Sequence, residues 1–204
     1  MVNLRKLNEC IFNCRQAGDS VRNNQPFTKS AIMIIFSLDK NRLQNDIILI
    51  KRKNNLRKHA GQIAFPGGRF ENKDKNLKQT AFRETKEEIN ISKENLMVLG
   101  SLPTFYTGTG YAVKPFLSVL REGFDYKGHL KADKNEVDKI LIINVKDLLT
   151  PSNQIRINAP KNSKMKKTWK VNFQNENIWG LTARVLVTIS AGLNLREYPP
   201  CDDI

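Results

Sequence analysis

Apolar residues near the N-terminus recur at the spacing of a helix. The four positions are Leu4, Leu7, Ile11 and Cys14. Because neighbours in this set lie three or four residues apart, they share one helical face. The pattern predicts a helix within residues 1–17 that packs this face against the rest of the chain. The polar residues that follow are typical of a connecting segment.

Beyond that segment, apolar residues form short continuous runs rich in Ile, Leu and Val, which is the pattern of buried β-strands. The runs are Ser30–Leu38, Asp46–Arg52, Gln62–Phe65, Met97–Ser101, Ala112–Leu120 and Val137–Val145. Turn-like residues separate the first two runs, so we expect these two strands to form a hairpin. Pro66 and the two glycines after it end the third run.

Helical periodicity returns in the middle of the chain, where Leu77–Ile89 carries an apolar stripe at intervals of four and Asn90 ends the helix. A short helix is predicted at Lys146–Leu149. A longer one is predicted at Ile178–Leu193, after a hairpin that includes Trp169–Phe173. Because strands and helices interleave without regular alternation, the order favours one α+β domain over a doubly wound fold.

Composition narrows the class of protein. The chain has 204 residues and 40% of them are hydrophobic, which predicts a folded protein. Its net charge of +14 favours an acidic partner: a phosphorylated small molecule, a nucleic acid or an anionic membrane surface. By number and spacing, Cys10, Cys14 and Cys201 predict neither a disulfide framework nor a zinc site. No apolar run is long enough to span a membrane and no signal peptide is apparent, so we expect a cytoplasmic protein.

One segment of the predicted central helix carries three carboxylates beside an arginine. Because Glu84, Glu87 and Glu88 lie within four residues of one another, we expect the glutamates to converge on one face, with Arg83 four residues before Glu87. Like charges at this spacing repel by about 0.2–0.5 kcal/mol per pair. A hard divalent cation such as Mg²⁺ would reverse this repulsion, since it prefers carboxylate oxygens. The alternative is a solvated charged face that neighbouring lysines neutralise.

The residues around this helix resemble the Nudix box, a loop–helix–loop module that begins at a glycine and contains Arg-Glu-x-x-Glu-Glu. Gly68 precedes Arg83 by 15 positions, one more than in the common pattern. Asp74 stands where the box has a glutamate. This longer spacing is typical of the coenzyme A diphosphatase branch of the Nudix hydrolases.

A second motif, directly upstream, is similar to the signature of that branch. The matching positions are Leu49, Arg52, Arg57, Gly61, Phe65, Pro66, Gly67 and Gly68. Ile50 and Lys53 depart from the signature. Downstream, Leu102–Pro115 and Ile178–Arg184 also resemble the branch, so the resemblance covers about residues 30–193.

The resemblance implies an α/β (α+β) Nudix fold, which is an α/β/α sandwich with a mixed β-sheet and the loop–helix–loop, preceded here by an N-terminal helix. It also implies a domain organisation. Residues 1–27 would be a helical extension, residues 28–197 the Nudix hydrolase domain, and residues 198–204 a C-terminal tail.

The activity implied by the resemblance is hydrolysis of a diphosphate linkage in a nucleoside diphosphate derivative, with water activated by Mg²⁺ or Mn²⁺. Coenzyme A is the expected substrate, with 3′,5′-ADP and 4′-phosphopantetheine as products. The implied metal ligands are Glu84, Glu87, Glu88 and a backbone carbonyl at Gly67 or Gly68. Glu84 is also the candidate general base, and Arg83 is placed to hold Glu87.

Substrate phosphates are assigned to Arg52 and Arg57, whose planar guanidinium groups match phosphate oxygens, and to the Gly67–Gly68 backbone, which can approach a ligand closely. Three weaker candidates remain: Asp74, His59 and Glu136. Asp74 is interpreted as a helix cap rather than a distant ligand, His59 as a hydrogen-bonding residue of its loop, and Glu136 as a further acid from outside the box.

Two other functions stay open. The first is an ADP-ribose, nucleotide-sugar or dinucleotide pyrophosphatase of the same fold. The second is a basic nucleic-acid-binding protein, suggested by the Lys161–Lys170 run with Trp169 and by the net charge. No aromatic–basic interleaving of a known RNA module appears, so no specific nucleic-acid partner is expected. The expected partner is a small nucleotide, and a homodimer is left open.

Overall fold

The computed structural model describes residues 2–16, 26–38, 45–56, 59–160, 166–174 and 176–199. The helices are α1 Leu4–Gln16, α2 Leu77–Ile89, α3 Tyr126–His129, α4 Val145–Leu149 and α5 Leu181–Gly192. The first seven strands are β1 Thr28–Ser37, β2 Asp46–Arg52, β3 Ile63–Ala64, β4 Gly67–Arg69, β5 Leu96–Ser101, β6 Phe105–Tyr106 and β7 Tyr111–Leu120. The other four are β8 Val137–Asn144, β9 Gln154–Asn158, β10 Lys167–Phe173 and β11 Glu176–Trp179.

The central sheet is mixed and has β1 in its interior. Strand β1 runs parallel to β7 and antiparallel to β2 and β4, so the predicted β1–β2 hairpin pairing is confirmed. Strands β5 and β6 pair with β7, and strands β3 and β8 pair with β2. A separate antiparallel sheet has the order β11-β10-β9.

Alternate residues of β1 enter two different cores, because successive side chains of a strand point to opposite faces. Ile32, Ile34 and Phe36 pack into a core with residues of α1 and α5. Ala31, Met33 and Ile35 pack into a second core with Ala81 and Ile89 of α2. Helices therefore cover both faces of a mixed sheet, which confirms the expected α/β/α sandwich and explains why β1 reads as a continuous apolar run.

Helix α2 begins and ends where its polar neighbours can satisfy its free backbone groups. Asn76 is the N-cap, and its side chain accepts a hydrogen bond from the Gln79 backbone amide at 3.0 Å. Asn90 ends the helix in a left-handed conformation, with φ of 63°, and its amide donates to the Lys86 carbonyl. The predicted bounds of this helix are confirmed, whereas the cap is Asn76 and not Asp74.

The C-terminal part of the sequence was the least well predicted. Ile178 belongs to β11 rather than to the last helix, which begins at Leu181 after Gly180 adopts a φ of 67°. The predicted hairpin around Trp169 is one part of the three-stranded β9–β11 sheet. Strands β4 and β6 and helix α3 were also missed, because elements of two to four residues are too short to show a period.

Helix α1 docks on the domain as predicted. The thiols of Cys10 and Cys14 are free and buried, and they contact the Ile189 and Thr188 carbonyls of α5. Gly192 leaves the space that the two sulfurs occupy. Cys201 lies outside the described residues. In the described part of the chain, no helix is long and apolar enough to cross a membrane.

Candidate active site

The two glycines of β4 lie directly against the carboxylate face of α2. The Gly67 backbone amide donates to Glu88 Oε2 at 2.9 Å. A Cβ atom added to Gly68 would lie 2.3 Å from Glu84 Oε1, which real contacts do not allow. At Gly67, the same atom would lie 2.3 Å from the Ala31 carbonyl oxygen of β1. The glycine pair therefore permits the strand, the loop and two glutamates to meet at one point.

Glu88 is a buried carboxylate whose side chain is only 3% exposed. Arg52 of β2 donates to its Oε1 from Nη1 at 3.3 Å. Burial raises the pKa of Glu88 to about 8, against the opposing effects of the Gly67 amide and the Arg52 charge. Desolvation of the charged form thus outweighs the two groups that stabilise it, so the position favours an additional cation.

Glu84 lies one helical turn earlier and is largely buried. Its burial raises the pKa of this carboxyl, while the neighbouring Arg83 guanidinium lowers it. Arg83 Nη1 donates to Glu84 Oε1 and to Glu87 Oε2, both at 2.9 Å. Glu87 differs from the other two glutamates because its side chain is 53% exposed. Glu84 and Glu88 approach the glycines, whereas Glu87 shares Arg83 Nη1 with Glu84 and faces solvent.

Arg83 joins the loop after β4 to the helix. Its Nε and Nη2 donate to the two carboxylate oxygens of Asp74, at 3.0 and 3.1 Å, and Nη2 also donates to the Arg69 carbonyl. The predicted contact with Glu87 is present, but the paired bonds to Asp74 were not foreseen. A planar guanidinium suits this arrangement because it presents several donors in fixed directions.

Asp74 is buried and is fixed by three neighbours. Besides Arg83, it accepts hydrogen bonds from the Thr80 hydroxyl at 2.9 Å and from the Glu71 amide at 3.0 Å. The hydrogen bonds from Arg83 hold the pKa of this carboxyl down, at about 2. Asp74 thus holds the loop against the helix through Arg83 and Thr80. The helix cap is Asn76, and not Asp74 as predicted.

The remaining predicted residues have different outcomes. Arg52 lies in the site, where its Nη2 also donates to Glu136 Oε2 at 3.3 Å, so Glu136 comes within reach of Glu88 through a shared arginine. His59 has a φ of 57°, and its Nδ1 lies 2.9 Å from the Gln62 side-chain oxygen, which matches its predicted role in the loop. Arg57 lies outside the described residues.

The donors at this point fit a hard divalent cation. Glu84 is part-buried and Glu88 is buried, burial disfavours the charged form of both carboxylates, and both lie against the glycine strand. Within the described residues, no three Asp, Glu, His or Cys side chains form a ready-made cluster. Mg²⁺ does not need one, since it commonly binds one or two carboxylates and completes its shell with water and substrate phosphates.

A cavity of about 580 Å³ opens beside the glycine strand. Arg52 and His59 lie in its wall, and Arg52 also contacts Glu88. Most of the remaining wall is apolar and includes Ile32, Ile63, Phe65, Val113, Trp179 and Leu181. The start of α5 is fixed to this wall because the Thr182 hydroxyl donates to the Ile63 carbonyl at 3.0 Å. The cavity is large enough for a nucleotide-sized ligand.

Several residues that line this cavity are not identified individually from the sequence. They include the polar residues Arg69, Thr107, Thr109 and Tyr111. The segment Leu102–Pro115 was noted only as a resemblance, and its Thr-Gly-Thr-Gly sequence was the available signal. Trp179, in the segment Ile178–Arg184, also lines the cavity. Arg69 carried no signal, because an arginine after two glycines is common on a surface.

Comparison with known proteins places this geometry in a family. A model of the NUDIX domain matches residues 27–164. A protein from Photorhabdus laumondii described as an uncharacterized Nudix hydrolase NudL is 34% identical over 140 residues, which cover 69% of this chain and 73% of that protein. A protein of the same description from Klebsiella pneumoniae is 30% identical over 155 residues, which cover 76% and 79% of the two chains.

Solved structures include an Ap4A hydrolase binary complex from C. elegans, with 23% identity, a TM-score of 0.47, and coverage of 59% of this chain and 83% of that one. The NUDIX domain of Shewanella oneidensis NrtR complexed with ADP ribose has 15% identity and a TM-score of 0.46, with coverage of 61% and 77%. Enzymes of the matched family generally use divalent metal ions. From the family model and the curated relatives, the chain belongs to the Nudix hydrolases, which act on diphosphate linkages in nucleoside diphosphate derivatives.

Proposed function

We propose that this chain hydrolyses the diphosphate of coenzyme A to 3′,5′-ADP and 4′-phosphopantetheine. The observation that carries the proposal is the lining of the cavity, which combines the Gly67–Gly68 strand and Arg52 with a largely apolar wall. A substrate that fits both parts has a diphosphate next to an extended, largely uncharged arm. The pantetheine arm of coenzyme A has that character, whereas the second half of ADP-ribose is a polar sugar.

The upstream motif supports the same substrate. Arg52, one of its matching residues, donates to both Glu88 and Glu136 and lines the cavity. We assign to Arg52 the binding of a diphosphate oxygen, because a guanidinium donates to phosphate with matched geometry. Arg57, the other arginine of the motif, is proposed as a second phosphate ligand on its sequence match alone.

We assign Mg²⁺ to Glu84 and Glu88 with a backbone carbonyl of Gly67 or Gly68, and Mn²⁺ would suit the same oxygens. When bound, the ion supplies charge stabilisation for the diphosphate and lowers the pKa of a coordinated water. Glu84 is the proposed general base, since its carboxylate lies against the glycine strand. Arg83 positions Glu84 and Glu87, and Glu87 is proposed to join the ion only after its bond to Arg83 is released.

The first test is a product assay on coenzyme A with Mg²⁺, in which equal amounts of 3′,5′-ADP and 4′-phosphopantetheine are expected. The same assay on ADP-ribose measures the competing function within the fold. A kcat/KM for ADP-ribose equal to or above that for coenzyme A would contradict the proposed substrate. Cleavage of neither compound, with tight salt-dependent binding of RNA, would favour the nucleic-acid-binding alternative.

Two further expectations belong to this proposal. The cytoplasmic location expected from the sequence is tested by fractionation of the source cells with a tagged chain. The homodimer is tested by light scattering of the purified protein, and a mass of one chain at assay concentrations would exclude it as the active form.

A further inference from the structure

One part of the cavity wall is polar and has no task in the proposed hydrolysis. It consists of Arg69 and of the loop Thr107–Tyr111. Arg69 directly follows Gly68 in the chain, so its side chain begins next to the point where the diphosphate is proposed to lie. We call these residues the Arg69 wall.

The Arg69 guanidinium is held in place by an aromatic side chain from another strand. Its Nε donates to the Tyr111 hydroxyl at 2.9 Å, and its Nη2 donates to the same oxygen. Its Cζ lies 5.2 Å from the centroid of the Tyr111 ring. Strands β4 and β7 pair with opposite edges of β1, so the arginine side chain crosses β1 to make this contact. Fixing a long side chain in advance lowers the entropic cost of binding a ligand.

The fixed guanidinium retains unused donor capacity. Within the described residues, Arg69 Nη1 makes no hydrogen bond, and the residue is exposed to the cavity. Among the described residues, no carboxylate forms an ion pair with Arg69. An arginine held this way presents a positive charge and a planar donor edge, which suits an anion such as a phosphate monoester.

Two hydroxyls line the same cavity as this charge. Thr107 Oγ1 and Thr109 Oγ1 are 3.1 Å apart, and the Tyr111 amide donates to Thr107 Oγ1 at 3.0 Å. Thr107, Gly108 and Thr109 all line the cavity. Hydroxyls and a guanidinium around a glycine-containing loop are the groups that bind phosphate oxygens in proteins.

We propose that Arg69, Thr107 and Thr109 bind the ribose 3′-phosphate of the nucleotide, and so select 3′-phosphorylated substrates. The proposal rests on the coenzyme A function above and assigns a different part of the molecule. The 3′-phosphate lies one ribose away from the diphosphate, and Arg69 lies one residue away from the glycines that face the diphosphate. Arg52 remains with the diphosphate, and the Arg69 wall recognises the second anionic group.

The test compares coenzyme A with dephospho-coenzyme A, which lacks only the 3′-phosphate. The native chain is expected to have a KM for coenzyme A about 10–100-fold lower than for the dephospho compound, the range for losing charge-assisted hydrogen bonds. Arg69→Gln is expected to bring the ratio of the two KM values close to one. Arg5→Gln removes an equal charge from an exposed site on α1 and should keep the native ratio.

The variant Tyr111→Phe tests the positioning of Arg69 separately from its charge. It removes the hydroxyl that holds Arg69 but keeps the ring and the arginine, so an intermediate KM ratio is expected. A kcat that changes equally for both substrates would instead indicate a general structural effect of the substitution and would contradict selective positioning.

A binding measurement makes the result independent of turnover. By calorimetry, 3′,5′-ADP should bind more tightly than AMP to the native chain, and Arg69→Gln should remove the difference. Equal affinity of the two nucleotides for the native chain, or an unchanged preference in Arg69→Gln, would overturn this proposal even if coenzyme A is hydrolysed. A lack of coenzyme A hydrolysis with a preserved 3′,5′-ADP preference would contradict the proposed function alone.

Discussion

The backbone amide of Gly67 donates to the carboxylate of Glu88 at 2.9 Å, across the contact between β4 and α2. This bond fixes one oxygen of a buried glutamate to a strand that belongs to the cavity wall. The other oxygen faces Arg52. A carboxylate held on both sides cannot adapt its position, so substitutions at this contact should affect catalysis more than folding.

Replacing Glu88 by Gln is the most direct test of the proposed metal site. The amide keeps the volume but removes the charge, and turnover should fall by about 100-fold or more. The free energy of unfolding should not fall, because burial already disfavours the charged form of Glu88. Steady-state assays across a Mg²⁺ titration, with thermal denaturation of the same sample, measure both effects.

Glu94→Gln is the matched control, because Glu94 is an exposed glutamate outside α2. It should leave the Mg²⁺ dependence and the turnover unchanged. Near-native rates in both Glu88→Gln and Glu84→Gln would remove the metal site from this helix.

The close contact between Gly68 and Glu84 gives a second prediction. In Gly68→Ala, the new methyl group would lie 2.3 Å from Glu84 Oε1, so the carboxylate must move. A displacement of about 1 Å in such a site costs up to about 100-fold in rate, and we expect a loss of 10–100-fold. Gly128→Ala in α3, where the new methyl meets only the flexible end of Asp125, is the control. A Gly68→Ala rate within twofold of native would show that Glu84 is not held by this contact.

The sequence predicts the long elements well because their periodicity extends over several turns or pleats. The bounds of α2 and β2 agree with the structure residue for residue. The boundary between β11 and α5 was misplaced, because Ile178 and Trp179 continue the apolar pattern of the helix and only the backbone of Gly180 separates them. The spacing of hydrophobic residues cannot predict a positive φ at a single glycine.

In the site, too, the sequence predicts the local relationships and not the distant ones. The glutamates could be identified because helical spacing relates residues that are close in sequence. Asp74 and Arg69 could not be placed, since the first acts through Arg83 nine positions later and the second through Tyr111, 42 positions later. Contacts between loops and distant strands depend on the assembled sheet, which spacing along the chain does not encode.

Arg83 supplies a third prediction. Lysine at this position keeps the charge but carries all its donors on one nitrogen, so it cannot reproduce the fixed planar fork that spans Asp74 and Glu84. Arg83→Lys should lower the free energy of unfolding by about 1–3 kcal/mol and should also reduce kcat, because Glu84 loses a neighbour that positions it. Urea denaturation and steady-state kinetics measure the two effects.

The control for Arg83→Lys is Arg121→Lys, an exposed arginine on the loop after β7 that should tolerate the change in both assays. If Arg83→Lys lowers stability without lowering kcat, then Arg83 only closes the loop and does not position the glutamate.

The last prediction concerns acid stability and follows from the pKa of Asp74, which the hydrogen bonds from Arg83 lower to about 2 from an ordinary value of 3.8. Because its pKa is lower in the folded state, the Asp74 carboxyl binds a proton more readily in the unfolded chain. Its contribution to the free energy of unfolding is therefore complete above pH about 4 and is lost as the pH falls towards about 2. The shift corresponds to at most about 2 kcal/mol, because solvent at the part-exposed Arg83 screens the pair. Asp74→Asn should therefore lower the free energy of unfolding at pH 7 by up to that amount and flatten its decline between pH 4 and 2. Urea denaturation at a series of pH values measures the free energy of unfolding, and Asp147→Asn, at an exposed position, is the control. If this free energy falls with pH in the same way for the native chain and for Asp74→Asn, the assigned ion pair is contradicted.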